Sequence, residues 1–89
     1  MPYVVRKGDK TRGHYGHGPL TLTICTGDVA GNGKAIGLVN DIATGSNHDG
    51  TIVQGSPDVR INGRAIARVG DKVSCGDVFE TGSPDIRVN

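Results

Sequence analysis

The chain contains no tryptophan, one phenylalanine (Phe79) and two tyrosines (Tyr3 and Tyr15) in 89 residues. So few large side chains leave little to build a core from. A domain of this length buries only about 60% of its unfolded surface, so a disulfide, a metal or a partner has to add to its stability. Charge of one sign is lacking as well: ten basic and nine acidic residues give a net +1. That balance excludes the clustered basic surface that holds a phosphate backbone. The shortage of aromatics excludes a stacking platform for single strands, which argues against a nucleic-acid-binding β-barrel. No run of eighteen apolar residues occurs, so no helical membrane span is expected. The opening Met1-Pro2-Tyr3-Val4-Val5-Arg6-Lys7 becomes charged too early for a secretory signal, and the expectation is a product made in the cytoplasm. Cysteine is scarce too. Cys25 and Cys75 are the two present, and in a reducing compartment a lone structural disulfide is not expected. A metal is the better staple.

What the chain does have is repetition. Asn32-Gly33-Lys34-Ala35-Ile36-Gly37-Leu38-Val39-Asn40-Asp41 aligns without gaps with Asn62-Gly63-Arg64-Ala65-Ile66-Ala67-Arg68-Val69-Gly70-Asp71. Gly55-Ser56-Pro57-Asp58-Val59-Arg60-Ile61-Asn62 recurs as Gly82-Ser83-Pro84-Asp85-Ile86-Arg87-Val88-Asn89, and Arg6-Lys7-Gly8-Asp9-Lys10 echoes Arg68-Val69-Gly70-Asp71-Lys72. The unit occurs about three times, each time passing through Asp9, Asp41 or Asp71.

Each unit reads as strand and turn. Val59 and Ile61, Ile86 and Val88, and the alternating Thr21-Leu22-Thr23-Ile24-Cys25 have the period of a half-buried strand. Asn32-Gly33 and Asn62-Gly63 are two-residue hairpin signals. Ser56-Pro57-Asp58 and Ser83-Pro84-Asp85 mark turns or strand entries. Fifteen glycines depress helix formation, and the one helical rival, residues 35–42, has a repeat partner that argues for strand. The recurring Asp9, Asp41 and Asp71 fit turn acceptors for local backbone N–H groups rather than acid/base catalysts. Small Ala35, Gly37, Ala65 and Ala67 suit converging strands, and Ile36, Leu38 and Ile66, on the opposite strand face, are the expected docking surface. One domain spanning residues 1–89, without an extension, is expected.

The three histidines, His14, His17 and His48, each lie shortly after an Asp-ended strand, and Cys75 occupies the matching loop of the third unit. If a rough threefold axis relates the units, these loops meet at one end. Three imidazoles and a thiolate complete a tetrahedral shell for Zn²⁺ and disfavour Mg²⁺ or Ca²⁺. A catalytic zinc keeps an open position, so a fourth ligand at Cys75 argues against the alternative of a small zinc-dependent hydrolase. Cys25, in an alternating strand, reads as an inert buried thiol. No phosphate-loop spacing is present, and Ser74-Cys75 does not make a nucleophile site.

These residues resemble the PAAR-repeat proteins, named for a Pro-Ala-Ala-Arg motif; the nearest form here is Arg64-Ala65-Ile66-Ala67-Arg68, with Arg64 where proline is usual. The resemblance runs from about Val4 to Asn89 and is most specific over 55–89. It implies an all-β, three-sided pointed cone with structural zinc near the apex, held by His14, His17, His48 and Cys75. It also implies a place on the end of a trimeric β-helical spike, one tip per trimer, in a contractile phage tail or a type VI secretion system. The implied work is mechanical: a monomeric tip that sharpens a spike driven through a target membrane, with no catalysis and no nucleic-acid partner.

Overall fold

The computed structural model describes residues 1–13, 18–27, 29–45 and 48–89. Its strands are short: β1 (Thr21–Ile24), β2 (Ala30–Gly31), β3 (Lys34–Ala35), β4 (Ile42–Thr44), β5 (Asp49–Thr51), β6 (Arg60–Ile61) and β7 (Arg64–Ala65). No helix occurs among the described residues. Asn32-Gly33 joins β2 to β3 and Asn62-Gly63 joins β6 to β7, with φ of 56° and 77° in the first turn and 53° and 80° in the second. Positive φ at both central residues defines the type I′ turn, whose twist suits a hairpin. A third hairpin of the same kind is assembled from distant segments. Tyr3 bridges Arg87, the Val4 N–H donates to the Ile86 carbonyl (2.9 Å) and the Val88 N–H to that of Pro2 (3.1 Å). The Arg87 guanidinium also lies 5.2 Å from the Tyr3 ring centroid. These three hairpins form one end of the molecule, its base.

Each unit then passes through the same turn. The Asp9, Asp41 and Asp71 N–H groups donate to the carbonyls of Arg6, Leu38 and Arg68, each at 2.9 Å. In return, each aspartate Oδ2 accepts the backbone N–H of that same residue, at 2.8, 2.9 and 2.7 Å. The residue before each aspartate has positive φ: Gly8 94°, Asn40 82° and Gly70 94°, as a type II turn requires. The expectation that these aspartates are turn acceptors is borne out. Ser56 and Ser83 cap the other recurring turn, their Oγ atoms accepting the Val59 and Ile86 N–H groups at 3.0 and 2.9 Å.

The units close around an axis through a ring of backbone hydrogen bonds. Val5 N–H donates to the Ala67 carbonyl (3.0 Å), Ala67 N–H to Gly37 (2.9 Å) and Gly37 N–H to Val5 (2.9 Å). A cycle of three equivalent donors and acceptors is what pseudo-threefold symmetry of the backbone produces. The small residues at 37 and 67 do sit where strands converge. A Cβ on Gly37 would lie 2.6 Å from Leu22 Cδ2, so the axis is packed to the limit that a bare Cα allows. On one side of the ring, Val5, Leu20, Leu22, Ala43, Ile52, Ala67, Val73 and Phe79 form a buried cluster. On the other side, Val4, Ile36, Leu38 and Ile66 form a second.

Beyond the ring the strands close into a small barrel. Lys10 bridges Thr21, β1 pairs with β4 and β4 with β5. Ile52 bridges Val73, Lys72 bridges Val78, and Phe79 returns to Thr11. Full closure removes the open edges that invite further pairing. The base differs: β2–β3 and β6–β7 are two-stranded sheets, so among the described residues β2 and β6 each keep one edge unpaired. The body measures 32 × 24 × 21 Å, and an all-β cone of three pseudo-threefold hairpin repeats describes it.

Two expectations are corrected. Ile36, Leu38 and Ile66 are 6, 1 and 5% exposed, so they are core rather than docking surface. They belong to segments that cross beside the axis, where Leu38 bridges Ile66 and Arg6 bridges Ile36, and both faces are covered. The regular alternation of β1 also breaks. Leu22 pairs with Ala43 but Ile24 with Ile42, and the extra residue turns Ile24 outward to 47% exposure, as a bulge does.

Candidate functional site

Two residues after each aspartate turn the chain pairs again, forming the tip. The Thr11 N–H donates to the Leu20 carbonyl (2.9 Å), β4 pairs with β5, and in the third hairpin, residues 73–77, the Val73 N–H donates to the Asp77 carbonyl (2.9 Å). The expected ligands lie in the sequence between these paired segments. His14 and His17 lie outside the described residues. His48 directly precedes β5; it is half-buried, with Nε2 shielded from solvent. Cys75 is half-buried and packs against the larger cluster.

Backbone pairing brings the roots of the three loops to one end. The Ser74 N–H donates to the Thr51 carbonyl (2.8 Å) and Ser74 Oγ accepts the Thr51 N–H (3.1 Å). The Cys75 loop therefore lies beside the strand that His48 precedes. Arg12 N–H donates to the Val78 carbonyl (2.9 Å) and Gly13 N–H to Asp77 Oδ2 (3.1 Å), so the first loop starts from the edge of the third hairpin. Among the described residues no three His, Cys, Asp or Glu side chains gather where they could hold a metal ion; two of the four expected ligands lie outside those residues. The donor types themselves, imidazole nitrogen and thiolate sulfur, are those Zn²⁺ takes in closed structural shells.

Cys25 has a different setting. Its Sγ approaches the Ala35 carbonyl at 3.9 Å. Burial, reinforced by the Asp41 charge and opposed by Lys7, pushes its thiol up to about 11. A thiol so placed stays protonated at neutral pH and is a poor ligand or nucleophile, which agrees with an inert role.

A polar network links the tip to the base through the three aspartates. Arg6 holds Asp9 (Nε–Oδ2 3.2 Å) and Arg68 holds Asp71 (Nη2–Oδ1 2.8 Å), each from within its own turn. Position 38 carries leucine, and Asp41 is held instead by Arg64 of the following unit, 2.8 Å away. Arg64 also donates to the Val39 carbonyl (2.9 Å) and Thr26 Oγ1 (2.5 Å). Burial alone would raise the Asp41 carboxyl; hydrogen bonds from the Thr26 hydroxyl, the Leu38 N–H, Arg64 and the Thr26 N–H outweigh it and hold it below the usual range.

The underside of the base is apolar. Val59, Ile61, Ile86 and Val88 are only partly buried against Val4, Ile36, Leu38 and Ile66, and Val29, equivalent to Val59 and Ile86, is 39% exposed. Sequence reading placed Val59, Ile61, Ile86 and Val88 in half-buried strands without making them a surface. The signal was present in their shared position within the repeated Gly-Ser-Pro-Asp segments.

Together these features define a pseudo-threefold β-body whose strands close into a barrel at one end and form two-stranded hairpins at the other. The family model described as the PAAR motif matches residues 7–80, and the chain belongs to the PAAR-motif family. No curated protein matches it. The third base hairpin, residues 2–4 with 86–88, lies outside the matched span.

Proposed function

We propose that this chain is the tip of a membrane-piercing spike, seated one per trimer on the end of a trimeric β-helical spike protein. One observation carries the reading: a pseudo-threefold ring at Val5, Gly37 and Ala67 stands over a base whose underside is apolar and whose strands β2 and β6 are, among the described residues, unpaired on one edge. Such a base is incomplete alone. A threefold partner with exposed strand ends offers each of the three hairpins an equivalent seat, covering apolar surface and edges together. Membership of the PAAR-motif family supports the same reading, as do the closed barrel and the lack of any pocket among the described residues.

The tip is stapled by zinc held by His14, His17, His48 and Cys75. The metal supplies folding energy to loops that have little core beneath them. His48 and Cys75 contribute from adjoining hairpins and His14 and His17 from the first. The role is mechanical, and the host machine is a contractile phage tail or a secretion spike of bacterial origin.

Co-purification with a trimeric β-helical spike tests the docking surface. Ile61→Glu and Val88→Glu should abolish docking while the protein keeps its fold and its zinc. Docking at the unmodified level by both variants would place the contact elsewhere.

A further inference from the structure

Asn32-Gly33 and Asn62-Gly63 occupy the same turn in successive units, with nearly the same backbone angles. Their side chains are held differently. Asn32 Oδ1 accepts hydrogen bonds from Ser83 Oγ (2.7 Å) and Arg6 Nη1 (3.3 Å), and Nδ2 donates to Asp85 Oδ1 (2.9 Å). Both asparagines are exposed, but no hydrogen bond to the Asn62 carboxamide occurs among the described residues. The space beside Gly33 and beside Gly63 is equally open, with nothing within 4 Å of where a Cβ would stand.

We infer that Asn62-Gly63 is a site of spontaneous deamidation and that the fold protects the otherwise equivalent Asn32-Gly33. In this reaction the deprotonated Gly63 backbone nitrogen attacks Asn62 Cγ. A C–N bond forms, ammonia leaves and a five-membered succinimide results. Water then opens the ring at either carbonyl, giving aspartate or isoaspartate. One water is consumed and one ammonia released, with no redox change and no enzyme. Attack requires the carboxamide to swing over the following nitrogen. At Asn62 nothing restrains that motion, and glycine presents no side chain to block it. At Asn32 the same motion breaks three hydrogen bonds. Because turn type and following residue are shared, backbone effects cancel and the side-chain restraint decides the difference.

Asn40 supplies an internal comparison. The nitrogen that would attack there, Asp41 N, already donates to the Leu38 carbonyl at 2.9 Å, and aspartate is bulkier than glycine. The product at Asn62 would put a negative charge, and in the isoaspartate form an extra backbone carbon, into one corner of the base.

The test incubates the intact protein in mildly alkaline buffer and follows each asparagine by peptide mapping with isoaspartate detection. Product should accumulate at Asn62 several-fold faster than at Asn32, with the rate rising with hydroxide concentration. Ser83→Ala, which frees part of the Asn32 carboxamide, should raise the Asn32 rate and narrow the gap. Equal or faster reaction at Asn32 in the unmodified protein would overturn the inference. So would an unchanged ratio in Ser83→Ala, or an unreactive Asn62 when the unfolded chain reacts there.

Discussion

Arg64 stands 2.8 Å from Asp41, and through this contact one repeat supplies the cation that its neighbour lacks. Arg6 and Arg68 serve their own aspartates three residues away, whereas Leu38 occupies the corresponding site and packs over Gly27. The Asp41 side chain is 0% exposed and that of Arg64 28%. Removing one partner of a fully buried pair costs about 3–5 kcal/mol, and partial exposure of the arginine brings Arg64→Ala below that range, to about 2–3 kcal/mol. Arg64→Lys should recover little, because a single ammonium cannot reach Val39, Thr26 and Asp41 together. Thermal melts decide it: in a domain this size each kcal/mol moves the midpoint by about 4–8 °C. A lysine variant as stable as the original would mean that charge alone suffices.

Acid should undo the same contact. The Asp41 carboxyl sits below its ordinary range when folded. An unfolded aspartate, titrating near about pH 4, therefore binds more protons than the folded one just below that pH. The stability Asp41 contributes is full above that range and is lost as pH falls through the lower folded value. Urea melts across this window should show stability declining with acid. Asp41→Asn should be less stable at neutral pH and show a shallower decline; an unchanged slope would remove Asp41 as a source of the acid sensitivity.

Packing at the axis gives a third expectation. Gly37→Ala places a methyl against Leu22 Cδ2, and overpacking of this kind costs about 1–3 kcal/mol. Leu22→Val withdraws the obstructing atoms, so the double variant should lose less than the sum of the two single changes. Strict additivity would show that the ring relaxes without help.

Much of this fold was legible because the chain states it three times. The Asn-Gly turns, the aspartate acceptors and the Ser-Pro-Asp caps depend on local backbone chemistry, and each has a residue type that only that chemistry explains. Ile36, Leu38 and Ile66 were misplaced because alternation shows that a strand has two faces but not that both are covered. Closure around the axis covers both, and closure is a long-range property. The Arg64–Asp41 bond was hidden for a related reason, since it crosses repeats at the one position where the pattern lapses to leucine. The third base hairpin brings together residues near opposite ends of the sequence, which no local signal marks. At the tip, His48 directly precedes β5 and Cys75 lies in the 73–77 hairpin, while His14 and His17 lie outside the described residues.

The cysteines should separate by metal content rather than by stability alone. Cys75 packs against the core, so Cys75→Ser loses some packing whether or not the sulfur binds metal. Zinc analysis after chelator-free purification should give about one equivalent per chain for the original and for Cys25→Ser, and a marked loss for Cys75→Ser. Full zinc retention in Cys75→Ser would remove Cys75 from the ligand set.

The most direct test of the account is the native mass of the complex formed on co-expression with a trimeric β-helical spike. A complex of one copy of this chain, three spike chains and one zinc ion is the predicted result. A stable homotrimer of this chain alone, or a complex with one copy on each spike chain, would contradict the seating of a single pseudo-threefold tip on a threefold spike.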